Sequence, residues 1–151
     1  MELLLADEQE TYDLGLRLGK ALHGGSVIEL VGDVGAGKTT LTRALARGMG
    51  ITAAIQSPTF TINNLYDAPN GLRLSHYDFY RLTDAGVMAD ELTETIDDKD
   101  TVTVVEWGDI IADVLPKDRL TITFVSTSET ARRLSFTAGG PESQHLLEKL
   151  S

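Results

Sequence analysis

Gly32, Gly37, Lys38 and Thr39 stand at the fixed positions of the pattern G-x-x-x-x-G-K-[ST], a spacing suited to gripping phosphate. Glycines let the backbone turn its N–H groups inward with no Cβ in the way, so such a loop becomes a concave nest of donors. Lys38 adds a point positive charge, and the Thr39 hydroxyl is placed to ligate Mg²⁺. A helix opening near Lys38 would aim the positive end of its dipole at the same anion. Asp33, Gly35, Ala36, Gly37, Lys38, Thr39 and Thr40 are therefore the candidate contacts to a nucleotide such as ATP or ADP.

Two carboxylates further along suit a magnesium ion or an attacking water. Asp78 ends the alternating run Leu72–Asp78, and Glu106 follows the β-branched run Thr101–Val105. An acid at the carboxyl end of a buried parallel strand lies where ligands of open α/β sheets bind; a solvated strand end is the plain alternative for Glu106. Lys38, Asp78 and Glu106 are the candidate catalytic residues, with Thr39, Asp78 and Glu106 the candidate metal ligands. Between them, Ser57-Pro58-Thr59-Phe60 lies about twenty residues past the phosphate loop, where nucleotide hydrolases carry a γ-phosphate sensor. S-P-T is also a common loop tripeptide.

These residues need a frame. Ser26–Val31 predicts a buried strand entering the loop, and Leu41, Ala44, Leu45 and Met49 repeat at helical spacing until Gly48 and Gly50 stop the helix. Upstream, Asp7 caps a helix whose apolar face is Leu14, Leu18 and Leu22, ending at His23-Gly24-Gly25. That helix either packs over a nucleotide base or is plain core. Residues 60–66 and 72–78 alternate around the turn 67–71 and predict an antiparallel hairpin. A polar helix is expected from Thr83 through Leu92, then a turn at Asp97–Asp100. Its acidic residues form a solvated face or a partner-docking surface. Thr101–Val105 predicts a central parallel strand. Leu120–Val125 and Arg133–Thr137 predict an edge hairpin, and Glu142–Leu150 a terminal helix. The expected fold is α/β: one P-loop, three-layer domain over 1–151, with a mixed, mainly parallel sheet and antiparallel hairpins.

Composition bounds the partners. The 151 residues carry 13 Lys and Arg against 23 Asp and Glu, a formal charge of -10. Tight nucleic-acid binding by the chain alone is not expected, because that requires clustered basic residues to displace counterions. Arg132-Arg133, the densest basic pair, is expected to be a solvated strand end. No run of about 18 apolar residues predicts a membrane span, so a cytoplasmic location is expected. Zero cysteines exclude disulfides and thiolate metal sites.

The phosphate loop, Ser57-Pro58-Thr59-Phe60, His76-x-Asp78-x-Tyr80-Arg81 and Glu106-Trp107, in this order, resemble the TsaE (YjeE) family. That family comprises small bacterial ATPases of tRNA threonylcarbamoyladenosine synthesis. The resemblance spans nearly the whole chain, except for the acidic segment between Arg81 and Thr101. It implies that Thr39 and Glu106 hold Mg²⁺, that Asp78 positions or activates water, that Thr59 belongs to the nucleotide-sensing loop, and that Glu8 to Thr11 approach the adenine. It also implies TsaB and TsaD as partners, with tRNA reached only through them. ATP hydrolysis would then reset the complex rather than build the modification. A P-loop small-molecule kinase, a GTPase switch and a non-catalytic nucleotide-binding adaptor are the alternatives. The kinase lacks an arginine-bearing lid in the sequence, and Asp98-Lys99-Asp100 does not match the N-K-x-D guanine reader.

Overall fold

A computed structural model describes residues 1–33, 35–55, 63–79, 86 and 88–151. In chain order these form β1 (Glu2–Leu5), α1 (Glu8–Ala21), β2 (Val27–Val31), α2 (Lys38–Gly48), β3 (Asn63–Asp67), β4 (Arg73–Asp78), α3 (Met88–Asp97), β5 (Thr101–Glu106), β6 (Leu120–Ser126), β7 (Arg132–Ala138) and α4 (Pro141–Leu150). A 3-10 turn at Gly108–Ile111 follows β5.

The described strands make one seven-stranded sheet in the order β1-β7-β6-β2-β5-β4-β3. Its centre is parallel, β6 with β2, β2 with β5 and β5 with β4. Antiparallel pairings flank it on both sides. All six residues of β5 are buried, as a continuous β-branched run in a sheet covered on both faces requires. On one face Ile28, Leu30, Val102 and Val104 pack with Leu14 and Leu18 of α1, Leu41 and Leu45 of α2, and Leu146 and Leu150 of α4. Each such fully buried leucine contributes about 2 kcal/mol of transfer free energy. On the other face Tyr77, Phe79 and Val105 meet Leu92 of α3 with Ile111 and Leu115. The result is the expected three-layer α/β architecture.

Asp7 caps α1, accepting from the Glu10 amide at 3.0 Å, while Glu10 accepts from the Ala6 amide at 2.6 Å. The helix then lies hard against α2. A Cβ on Gly19 would fall 2.1 Å from the Leu45 carbonyl oxygen, and one on Gly15 would fall 2.5 Å from the Ala44 Cβ. Only glycine allows that approach, so α1 is a core helix packed closely along α2.

Two expectations change, and one strand was not expected. β6 and β7 do form a hairpin, but not at an edge: β6 bonds to β2, and β1 covers β7 with Glu2 opposite Ser135. β1 itself has no alternating pattern to announce it; pairing with a strand 130 residues away creates it. The acidic helix runs past Leu92: Met88–Asp97 is described as α3 with the turn after it, and Leu92 packs with Tyr77 and Phe79. Residues 83–85 and 87 lie outside the described residues. No helix among the described residues is long and apolar enough to cross a membrane.

Candidate active site

The phosphate loop leaves β2 at Gly32, where φ is +151°, and a Cβ there would lie 3.0 Å from both Cβ and O of Phe124. Gly35 and Gly37 have φ of +83° and +108°, conformations that cost other residues about 1–2 kcal/mol. Gly37 is the N-cap of α2 and has no side chain to satisfy the first amides, so those amides remain available to an anion. The Ala36 amide closes the loop on the Asp33 carbonyl at 3.1 Å.

The register of three parallel strands assembles the rest. Glu106 pairs with Leu30 on one side and Asp78 on the other, so the two candidate carboxylates are neighbours on one rung. They face the α2 side, because Val102 and Val104 of the same strand do. Glu106 is buried and Asp78 half-buried. Lys38, 5% exposed, extends from the first turn of α2 to this rung. Its ammonium donates to the Gly32 carbonyl at 2.5 Å, lies 3.9 Å from Glu106 Oε1, and sits 4.3 Å from the centroid of the Trp107 ring. Trp107 is the one non-glycine residue with positive φ among the described residues, at φ 58° and ψ 46°. A strained backbone directly after Glu106 is a common mark of a functional site.

Glu106 has a second partner, a motif residue to which the sequence reading gave no role. His76 Nε2 lies 2.6 Å from Glu106 Oε2, and the His76 side chain is 1% exposed. The signal was available in the two-residue spacing of His76 and Asp78, which puts both on one face of β4.

The other candidates are placed as follows. Thr39 is half-buried in the first turn of α2. Thr40 donates to Glu8 Oε1 at 3.1 Å, tying the start of α1 to the start of α2. Thr11 is buried, and its methyl would lie 3.9 Å from a Cβ on Gly37. The opening of α1 therefore abuts the phosphate loop. Asp33 and Gly35 are exposed, and Ala36 is buried. Thr59, with Ser57, Pro58 and Phe60, and Tyr80 with Arg81 lie outside the described residues. Arg133 is exposed as expected, but Arg132 is not a solvated strand end. It donates to the Ala36 and Gly35 carbonyls at 3.1 and 3.3 Å.

The donor set fits Mg²⁺ held together with phosphates. No group of three acidic or histidine ligands occurs among the described residues. Magnesium normally needs none, keeping several waters and taking one or two carboxylates plus phosphate oxygens. A threonine hydroxyl and two oxygen-donor carboxylates beside an anion cradle supply that chemistry.

With this geometry in place, likeness to known proteins becomes decisive. The family described as Threonylcarbamoyl adenosine biosynthesis protein TsaE matches residues 5–134. The chain belongs to the TsaE family. Among curated TsaE proteins, that of Streptomyces coelicolor is 42% identical over 109 residues, covering 72% of this chain and 74% of its own length. That of Bacillus subtilis is 40% identical over 127 residues, covering 84% and 78%. The crystal structure of YdiB from Bacillus subtilis superposes with a TM-score of 0.82 at 33% identity, covering 99% of this chain and 93% of that one. The family's part in tRNA threonylcarbamoyladenosine biosynthesis, the expected mixed α/β fold and the expected family all agree with these matches. The TsaE matches also take in the hairpin, β5 and the Glu106-Trp107 strand end, which ordinary phosphate-loop proteins need not share.

Proposed function

We propose that this TsaE-family protein is a Mg²⁺-dependent ATPase that binds ATP and ADP at the loop 32–40 and serves tRNA modification together with TsaB and TsaD. The carrying observation is convergence: the left-handed glycines and Lys38 stand beside one rung of the sheet that holds both Asp78 and Glu106. Backbone amides and Lys38 would bind the β- and γ-phosphates and stabilise charge as the terminal phosphoryl group leaves. Thr39, Asp78 and Glu106 would hold Mg²⁺, which when bound neutralises phosphate charge. Asp78, less buried than Glu106, would orient the attacking water and accept its proton. Thr59 would belong to the loop that senses the nucleotide, and Thr11 would line the approach to the base.

Slow turnover by the isolated chain is part of this reading, and the contacts of Lys38 are in keeping with it. Its ammonium already has a carbonyl, a carboxylate and an aromatic face as partners, and it has to leave some of them to reach a phosphate. Partner proteins are then the natural source of acceleration. The charge of -10 supports leaving the tRNA contact to those partners.

Calorimetry with Mg·ADP and Mg·ATP, alongside phosphate release, tests this. Wild type is expected to bind both nucleotides and release phosphate, and Lys38→Ala to bind neither. Absence of heat in wild type over a range of temperatures would remove the assignment. Tight ATP retention with no phosphate released, even with TsaB and TsaD present, would make the protein an adaptor instead. ADP formation only with an added metabolite would make it a kinase.

A further inference from the structure

Arg132 opens β7 at the far side of the hairpin from the loop it touches. Its guanidinium makes five bonds, all to main-chain carbonyls. Nη1 donates to Ser128, Glu129 and Ala131 at 3.1, 3.3 and 2.9 Å, within the turn that joins β6 to β7. Nε and Nη2 cross to Ala36 and Gly35 at 3.1 and 3.3 Å. One planar fork thus bolts the phosphate loop to a turn more than 90 residues away in sequence, a task suited to the five fixed donors of arginine.

The carbonyls it holds determine where amides point. In a trans peptide the C=O and the following N–H are antiparallel within one plane. Holding the Gly35 carbonyl turns the Ala36 N–H away from Arg132, where it meets the Asp33 carbonyl at 3.1 Å. Holding the Ala36 carbonyl likewise turns the Gly37 N–H away, and Gly37 is the N-cap whose amide has to face an anion. Its guanidinium is satisfied by carbonyl oxygens alone: among the described residues, no carboxylate forms an ion pair with Arg132.

We propose that Arg132 is a positioning residue of the phosphate site, orienting the Ala36 and Gly37 amides through their neighbouring carbonyls and adding a cationic field behind the loop. This rests on the phosphate-binding reading above. It gives the exposed β6–β7 turn a direct mechanical link to nucleotide affinity.

The test compares wild type, Arg132→Gln, Arg132→Lys and Lys38→Ala in the full chain. Titration with Mg·ADP should show affinity falling roughly tenfold to a hundredfold in Arg132→Gln, the loss expected for charged hydrogen bonds. Arg132→Lys, with charge but no fork, should fall between. Hydrogen exchange without nucleotide supplies a readout that a merely stabilising contact would not move. The Ala36 amide should lose protection in Arg132→Gln while the Val104 amide in β5 keeps its own. Unchanged affinity and unchanged Ala36 protection in Arg132→Gln, with binding abolished in Lys38→Ala, would overturn this proposal and leave the phosphate site standing. Nucleotide binding equal in all four proteins would overturn both. If Arg132→Gln does not fold, Arg132→Lys decides alone, wild-type affinity counting against the proposal.

Discussion

The Lys38 ammonium and the Glu106 carboxylate lie 3.9 Å apart with only 6% and 5% of their side chains exposed. Burying two charges is costly, and removing one partner leaves the other without compensation. Glu106→Ala is therefore expected to destabilise the nucleotide-free chain by about 3 kcal/mol, read as a lower urea midpoint at unchanged slope. It should also slow Mg²⁺-dependent hydrolysis by about a hundredfold, as expected for a weakened metal site, while ADP still binds, because loop amides and Lys38 remain. A midpoint equal to wild type would show that water, rather than Glu106, balances Lys38.

Trp107 is the single tryptophan of the chain, and its ring covers the Lys38 ammonium at 4.3 Å. A cation over an indole is worth about 1 to 2 kcal/mol when desolvated, and it alters the surroundings that set indole emission. Drawing Lys38 toward phosphate takes the cation off the ring. Intrinsic fluorescence is expected to change on addition of Mg·ADP, and Lys38→Ala, which has no cation over the ring, is expected to differ from wild type in its emission before any nucleotide is added. Identical nucleotide-free emission from wild type and Lys38→Ala would disconnect the ring from the lysine.

Helix α4 is capped from outside itself. Gly140 offers no side chain, and Asp118 accepts from the Glu142 and Ser143 amides, each at 2.9 Å, and from the Ser143 hydroxyl at 2.6 Å. Burial alone would raise the Asp118 pKa, but these hydrogen bonds together outweigh it and hold the carboxyl below its ordinary value. A depressed folded pKa means stability present above the unfolded value and lost as pH falls through the folded one. Asp118→Ala should cost about 1 kcal/mol at neutral pH. The gap to wild type should narrow at about pH 3, below the usual aspartate range. Denaturant midpoints at the two pH values check this, and a gap that widens in acid would contradict it.

What the sequence made legible was local. The phosphate loop, the capped helix α1 and the buried strand β5 each carry their own pattern, so glycine spacing, periodicity and β-branching suffice to place them. Contacts made by register or across the chain carry no such signature. The pairing of His76 with Glu106 follows from how β4 aligns on β5, and the cap of α4 comes from 24 residues upstream. Arg132 looks in sequence like half of a basic pair on a strand end. Only the return of β7 beside the loop reveals its partners. β1 exists because β7 offers it an edge, and Leu92 of α3 packs on Tyr77 across the sheet face, neither of which a local window contains.

Glu29 is the remaining buried acid of the central strands, on the sheet face opposite Glu106. Its Oε1 accepts from Arg119 Nε and from the Thr121 hydroxyl, both at 3.1 Å. Only 8% of the Glu29 side chain is exposed, against 25% for Arg119. The pair holds the start of β6 to the middle of β2, where the parallel register that aligns the site is set. Arg119→Met keeps the aliphatic stem but strands the carboxylate, and should destabilise by about 3 kcal/mol. Replacing both members, Glu29→Met with Arg119→Met, removes the desolvation cost together with the attraction and should recover most of that loss. Urea titrations of the two single variants and the double variant measure the coupling. Additive losses would mean that Glu29 is held by Thr121 and solvent alone, with Arg119 contributing nothing to the alignment of β6 on β2.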